Sequence, residues 1–204
     1  LFVSLKNVKN YINSNRRDFA DQPFTEKMSS NDPIQQYSIW FEQAITSKIL
    51  DPYAACLSTV NSNGEPSSRI LYIRDFNSNG FVFYTNYDSK KGSDLLDNNS
   101  AALNVFWGEL ERQIRIQGVI NKVSDSTSDK YFAARPRASK IGAWASNQSS
   151  VLSNREELEN KVKYFKKKFE NKKVTRPLFW TGYRVEPNLI EFWQDMPFRL
   201  HDRL

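Results

Sequence analysis

The run Arg199-Leu200-His201-Asp202-Arg203 carries residue types that packing alone explains poorly. In an extended strand alternate side chains share a face, so Arg199, His201 and Arg203 would project together. Two guanidinium groups flanking an imidazole can grip an anion and a heteroaromatic ring at once. The competing reading is an exposed basic edge strand. His201 is the only histidine. A histidine-rich metal site is therefore excluded. A Ser-His-Asp hydrolase would have to use this one residue, and no nucleophile elbow surrounds any serine.

Two further groups of cations stand out. Arg69 and Arg74 bracket one apolar run. Ser89-Lys90-Lys91 opens a short helical stretch, where backbone N–H groups and positive side chains together suit a phosphate. Arg135, Arg137, Ser139 and Lys140 form a second dense cluster. Taken singly, each is an ordinary surface charge. Two separate clusters suggest two phosphates, one on a cofactor and one on a substrate. The chain has only seven glycines, and neither the dinucleotide fingerprint nor the nucleotide phosphate loop occurs.

Composition sets the frame. The chain of 204 residues suits one domain with a sizeable core; 39% apolar and 25% charged residues mark it as globular. Its 5 Trp, 9 Tyr and 14 Phe are enough both to build a core and to line a site for flat heterocycles. Cys56 is the single cysteine, so a disulfide framework and a cysteine-based zinc site are excluded. It reads as a small core residue. The formal net charge of +6 points to an anionic ligand, nucleic acid or a phosphorylated small molecule. No apolar stretch approaches the ~20 residues of a spanning helix. No signal segment is visible at the N-terminus, so a cytoplasmic address is expected. The sequence opens on Leu1 rather than Met, so a start upstream of it is expected.

The elements that must position these groups are mostly strands. Residues 1–31 read as a polar arm, and residues 32–204 as the domain. Asp32-Pro33 is a helix start, with Ile34, Tyr37, Phe41 and Ala44 on the buried face. Runs at 53–60, 67–76 and 81–85, separated by Asn-Ser-Asn-Gly turns, predict an antiparallel meander. A short helix is expected at 90–98 and a hairpin at 101–107 and 111–123, with Ile114, Ile116 and Ile120 on one face. A helix over 126–134 should stop at Arg135-Pro136. Ser153 and Glu156 form a capping box for a helix burying Leu158, Val162, Phe165 and Phe169. Its lysines oppose that stripe, which favours a solvated face over a nucleic-acid footprint. Two last strands are expected at 179–186 and 189–193. About seven antiparallel strands with intervening helices predict a closed or nearly closed barrel.

At these residues the sequence resembles the pyridoxine 5′-phosphate oxidase family. The resemblance runs in order through Ser68-Arg69-Ile70-Leu71, Phe83-Tyr84-Thr85-Asn86, Glu111-Arg112-Gln113, Tyr131-Phe132, Arg135-Pro136-Arg137, the stretch from Ile141 to Ser146, Gln148-Ser149, Ile190-Glu191-Phe192-Trp193-Gln194 and the closing Arg199–Arg203 motif. It implies a split β-barrel that binds FMN at a homodimer interface. FMN would be held by Arg69, Ile70, Leu71, Tyr72, Tyr84, Thr85, Lys90, Lys91, Gln113, Gln148, Ser149, Trp193 and Arg203. The substrate phosphate would meet Arg74, Tyr131, Arg135 and Ser139. Arg199 and His201 would face the substrate ring as catalytic residues. No metal is implied. The implied reaction is oxidation of pyridoxine or pyridoxamine 5′-phosphate by O2 to pyridoxal 5′-phosphate, with hydrogen peroxide released, and ammonia from the amine. The family usually has lysine where this chain has Arg74, and often arginine at Lys90. It normally continues past the closing motif into a further strand, whereas this sequence stops at Leu204. The rival readings are another split-barrel flavoprotein such as a flavin reductase, and a non-catalytic protein that binds FMN or pyridoxal phosphate.

Overall fold

The computed structural model describes residues 23–204. Most of the expected arm, residues 1–22, lies outside the described residues. The chain is tied down from its first described turn: Phe24 is buried against Trp40 with ring centroids 4.7 Å apart, and its backbone N–H donates to Asp202 Oδ2 at 2.8 Å.

Helix α1 (Pro33–Thr46) starts where the sequence places it. The Asp32 carboxylate accepts from the Ile34 N–H at 2.8 Å, and proline occupies the first turn, where no donor is needed. Tyr37, Trp40 and Ala44 are buried, with Ile34 and Phe41 flanking them. Tyr37 meets Phe76 and Phe81 edge to face, so the helix closes one side of the core.

Eight strands build one antiparallel sheet: β1 (Ala54–Val60), β2 (Pro66–Tyr72), β3 (Asp75–Asn77), β4 (Gly80–Asn86), β5 (Ser100–Trp107), β6 (Arg112–Lys122), β7 (Trp180–Gln194) and β8 (Asp202–Arg203). Their order is β2-β1-β5-β6-β7-β4-β3, with β8 added on β7. The sheet curls into a half-barrel around Leu57, Phe83, Leu103, Val105, Ile114, Ile116 and Val185, all buried. Ile114, Ile116 and Ile120 share the inner face as their parity requires.

Several expectations are corrected. The first three runs do not form a meander. Strand β2 pairs only with β1, while β4 pairs with β3 and β7 at the other end of the order. The second run breaks at Ile73-Arg74: the Ile73 N–H donates to Tyr53 O at 2.9 Å, and the next N–H, of Arg74, donates to Val82 O at 2.7 Å. The chain passes there from one end of the sheet to the other. The two last strands are one, because β6 is long enough to pair with both halves. A bulge between Gln117 and Gly118 leaves Asn188 without a partner in the register, beside Pro187, which has no N–H to give, and a Cβ on Gly118 would lie 2.0 Å from Glu186 O.

The run 199–203 is not one strand. Pro197–Arg199 form a 3-10 turn in which Phe198 and Arg199 take φ of 60° and 63°, and only Asp202 and Arg203 pair with β7. This left-handed backbone turns Arg199 out of the alternation expected for a strand.

Among the described residues four more helices follow. Helix α2 (Lys90–Asp97) and α3 (Asp125–Ala134) stand as expected; α4 (Arg137–Ala145) follows Pro136 without being foreseen. The cap of α5 (Arg155–Lys168) is shifted by one residue. Asn154 Oδ1 accepts from the Glu157 N–H, and Glu157 reaches back to Ser153. Phe169 is buried against α4, around Trp144 and Ile141, and the lysines of α5 face outward. No helix among the described residues is long and apolar enough to cross a membrane.

Candidate active site

Two clefts open side by side above β2 and β4. The first, of about 470 Å³, is bounded by Tyr72, Arg74, Tyr84, Tyr131, Arg135, Ser139 and Trp180. The second, of about 430 Å³, is bounded by Ser67, Arg69, Ile70, Lys90, Lys91 and Ser149. Leu71, Tyr84, Thr85 and Gln148 line both, so the clefts are two arms of one groove.

The wall of the first arm is flat and aromatic. Tyr84 of β4 and Tyr131 of α3 stack with centroids 3.8 Å apart, and Trp180 of β7 lies nearly parallel at 5.3 Å from Tyr84. Gly182 stands opposite Tyr84 in the ladder, and a Cβ there would sit 2.7 Å from the Tyr84 ring. Arg135, the residue after α3, lays its guanidinium 4.9 Å over Trp180. Its Nη1 is buried and has no hydrogen-bond partner. Burial lowers the Arg135 pKa; Tyr131 acts against this and the positive charge of Arg74 adds to it. A partly desolvated cation with an unused donor, near a second cation, suits an anionic group. Ser139 adds a hydroxyl in the first turn of α4, where backbone N–H groups are also available.

The second arm gathers three cations around one acid. Arg69 donates to Thr59 Oγ1 at 2.7 Å and Ser67 Oγ at 2.8 Å, and lies 3.7 Å from Asp94. Asp94 is buried and accepts from Thr59 and Lys90. Its pKa is lowered: burial opposes ionisation, but those hydrogen bonds and the charges of Lys90 and Arg69 outweigh it. Lys91 is 7% exposed, with Nζ 3.1 Å from Thr85 Oγ1, 3.1 Å from Ser89 Oγ and 3.3 Å from Gln148 Oε1. Burial, then the charge of Arg69, pushes its pKa down to about 8. Ser149 holds a left-handed backbone, φ 71°, at the mouth. The surplus of positive charge at the start of α2 fits a phosphate, so these residues suit the phosphate of FMN and the shared wall suits a flat ring.

The expected site residues therefore fall into two sets. Arg69, Ile70, Leu71, Tyr72, Arg74, Tyr84, Thr85, Lys90, Lys91, Tyr131, Arg135, Ser139, Gln148 and Ser149 all line the groove. Gln113, Trp193, Arg199, His201 and Arg203 line neither arm. Gln113, Trp193 and Arg203 form one row across β6, β7 and β8. His201 packs against Trp193 at 4.8 Å, and its Nδ1 lies 2.7 Å from Asp195 Oδ1.

The cluster at 135–140 is divided. Arg137 donates to the carbonyls of Phe169 and Lys172, and Lys140 to that of Ala133, so neither serves the groove. Sequence reasoning missed Thr59, Asp94 and Trp180. Only Asp94 left a signal, four residues after Lys90 on one helix.

Residues 41–169 match the family model for pyridoxamine 5′-phosphate oxidase, and residues 180–204 match the model for the pyridoxine 5′-phosphate oxidase C-terminal dimerisation region. A pyridoxine/pyridoxamine 5′-phosphate oxidase of Trichormus variabilis is 46% identical over 93% of this chain and 88% of its own length. That of Acaryochloris marina is 47% identical over 95% and 88%. Among solved structures, PhzG from Burkholderia lata, in complex with tetrahydrophenazine-1-carboxylic acid, superposes with a TM-score of 0.85 at 30% identity, covering 92% of each chain. An FMN-binding protein of Nostoc punctiforme shares the fold, with a TM-score of 0.67 at 14% identity over 85% of this chain and 90% of its own. With both family models matched in order and relatives this similar along nearly the whole chain, the protein belongs to the pyridoxamine 5′-phosphate oxidase family.

Proposed function

We propose that this chain is an FMN-dependent oxidase that converts pyridoxine or pyridoxamine 5′-phosphate to pyridoxal 5′-phosphate in the cytoplasm, using O2 and releasing hydrogen peroxide, and, for the amine, also consuming water and releasing ammonia. The observation that carries the reading is one groove with a separate group of cationic side chains in each arm and a stacked aromatic wall. The oxidases named among the relatives support the same substrates.

In this reading Arg69, Lys90, Lys91 and Ser149 hold the FMN phosphate. Ile70, Leu71, Tyr72, Thr85 and Gln148 line the path of the rest of the cofactor. FMN supplies the two-electron acceptor chemistry and its reoxidation by O2. Arg74, Tyr131, Arg135 and Ser139 hold the substrate phosphate. Fixing that remote group aligns the reacting carbon, so binding energy is used for orientation.

Gln113, Trp193, Arg199, His201 and Arg203 lie away from the groove of their own chain. A second copy brings them to it in a homodimer, which the match of residues 180–204 to a dimerisation region supports. Arg199 then clamps the substrate ring. His201 Nδ1 accepts from the Met196 N–H at 3.2 Å and lies 2.7 Å from Asp195 Oδ1, contacts that fix the orientation of the ring.

The test is the visible spectrum of the purified protein without oxygen. Flavin absorbance should bleach on addition of pyridoxine 5′-phosphate and return with peroxide when air is admitted. A flavin that does not bleach would point to a binding protein or a reductase of another substrate. Colourless protein that takes up no added FMN would remove the cofactor from the proposal.

A further inference from the structure

We propose that Tyr53 and Tyr72, joined through Asp51, are positioning residues that set the Arg74 guanidinium for the substrate phosphate. The inference rests on the function proposed above and adds residues to its phosphate site.

Arg74 stands at the lip of the first arm. Its Cζ lies 5.0 Å from the Tyr53 ring centroid and 4.7 Å from that of Tyr72. The two rings meet edge to face, with centroids 4.9 Å apart and planes at 88°. Their hydroxyls donate to the two oxygens of one carboxylate: Tyr53 to Asp51 Oδ1 at 2.7 Å, Tyr72 to Asp51 Oδ2 at 3.0 Å. These bonds hold the Asp51 pKa below its ordinary value, with a smaller contribution from the charge of Arg74.

The backbone is pinned at the same place. Tyr53 O accepts the Ile73 N–H, and the Arg74 N–H is taken by Val82 O. A guanidinium resting on aromatic faces keeps its edge donors for an anion, and an exposed arginine held this way has less freedom to lose on binding. A lysine at the same place would offer a point charge with no plane to stack. Tyr53 and Asp51 thus act on the phosphate through Arg74.

The experiment compares Tyr53→Leu and Tyr53→Phe in the wild-type and Arg74→Ala backgrounds. Two readouts are taken: steady-state oxidation of pyridoxine 5′-phosphate, and equilibrium titration of pyridoxal 5′-phosphate into the FMN-loaded protein, which needs no turnover. Tyr53→Leu should raise KM and the pyridoxal 5′-phosphate Kd together by roughly two- to five-fold. Limiting rate and FMN content should hold. Tyr53→Phe, which keeps the ring and loses the tether, should give a smaller rise. With Arg74→Ala, neither substitution should add anything.

An unchanged Kd in Tyr53→Leu, or an equal rise with and without Arg74, would overturn the positioning role while leaving an active oxidase intact. A wild-type protein without turnover would overturn the oxidase reading instead, and the Kd series would still decide the role of Tyr53.

Discussion

The ring of Tyr84 lies 3.8 Å from that of Tyr131, with the two planes 2° apart. One ring belongs to a strand of the sheet and the other to a covering helix, so the contact joins the floor of the groove to its wall. Replacing Tyr131 by Phe keeps the stack and removes only the hydroxyl. KM for the phosphorylated substrate should rise by about ten-fold, as for loss of a hydrogen bond to a charged group, with thermal stability unchanged. Tyr131→Leu should show the same KM effect and in addition lose about 0.5–1.5 kcal/mol in denaturant unfolding.

Arg135→Met should separate the two ends of the groove. It removes the guanidinium over Trp180 while preserving much of the packing. KM for pyridoxine 5′-phosphate should rise by roughly 10- to 100-fold, while FMN content, read from the flavin absorbance of the purified protein, stays at the wild-type level. Loss of flavin along with substrate affinity would place Arg135 at the cofactor end.

Lys91 predicts a pH dependence whose sign is fixed by its depressed pKa of about 8. In cofactor-free protein the charge is present below pH 8 and lost above it. FMN affinity should therefore fall with rising pH, by at most about ten-fold per unit between pH 8 and 9.5. Folding stability of the cofactor-free protein should move the other way. Above pH 8 the unfolded chain still binds a proton that the folded chain has released, so stability rises with pH. Lys91→Met should flatten both profiles, measured by FMN titration and by thermal unfolding.

Asp94 is the counterweight to that cluster. Its pKa is lowered, so the stability it contributes is present above the ordinary carboxylate range and lost as pH falls through its folded pKa. Asp94→Asn should destabilise the cofactor-free protein by about 1–3 kcal/mol at neutral pH, because buried donors lose a charged acceptor. The stabilisation gained on adding FMN should be larger than in wild type, since the phosphate then supplies the missing negative charge.

The division of site residues between two copies can be tested by mixing. Assayed with substrate well below the variants' KM, Arg135→Ala and Arg199→Ala should each be nearly inactive alone. Co-expressed, they should regain up to about a quarter of wild-type specific activity, because half the dimers are mixed and each of those carries one intact site. No recovery in a confirmed mixed dimer would place both residues in the same chain's site.

Much of this site is legible in the sequence, and the gaps have physical causes. The start of α1 can be read because Asp32 and Pro33 act on the first turn of their own helix. The two Asn-Gly-type turns correctly mark hairpins, but a turn specifies only the strands that flank it. That β4 closes on β7 rather than β2 depends on a partner about a hundred residues away. The cluster at 135–140 reads as one basic patch until the helix start after Pro136 is known, which directs Arg137 to the end of α5. Residues 199–203 read as a strand because alternation is the simplest account of Arg-His-Arg. Nothing local announces left-handed backbone at Phe198 and Arg199.

The passage from Ile73 to Arg74 has a consequence for what the groove admits. Successive amide groups there bond to opposite ends of the curled sheet, one to Tyr53 O and the next to Val82 O. Neighbouring Cα atoms are about 3.8 Å apart across a trans peptide. The gauge of the opening is therefore set by a covalent link, not by side chains that can yield. A one-residue insertion between 73 and 74 would release that link, move Arg74 away from Tyr53 and Tyr72, and widen the mouth of the groove there.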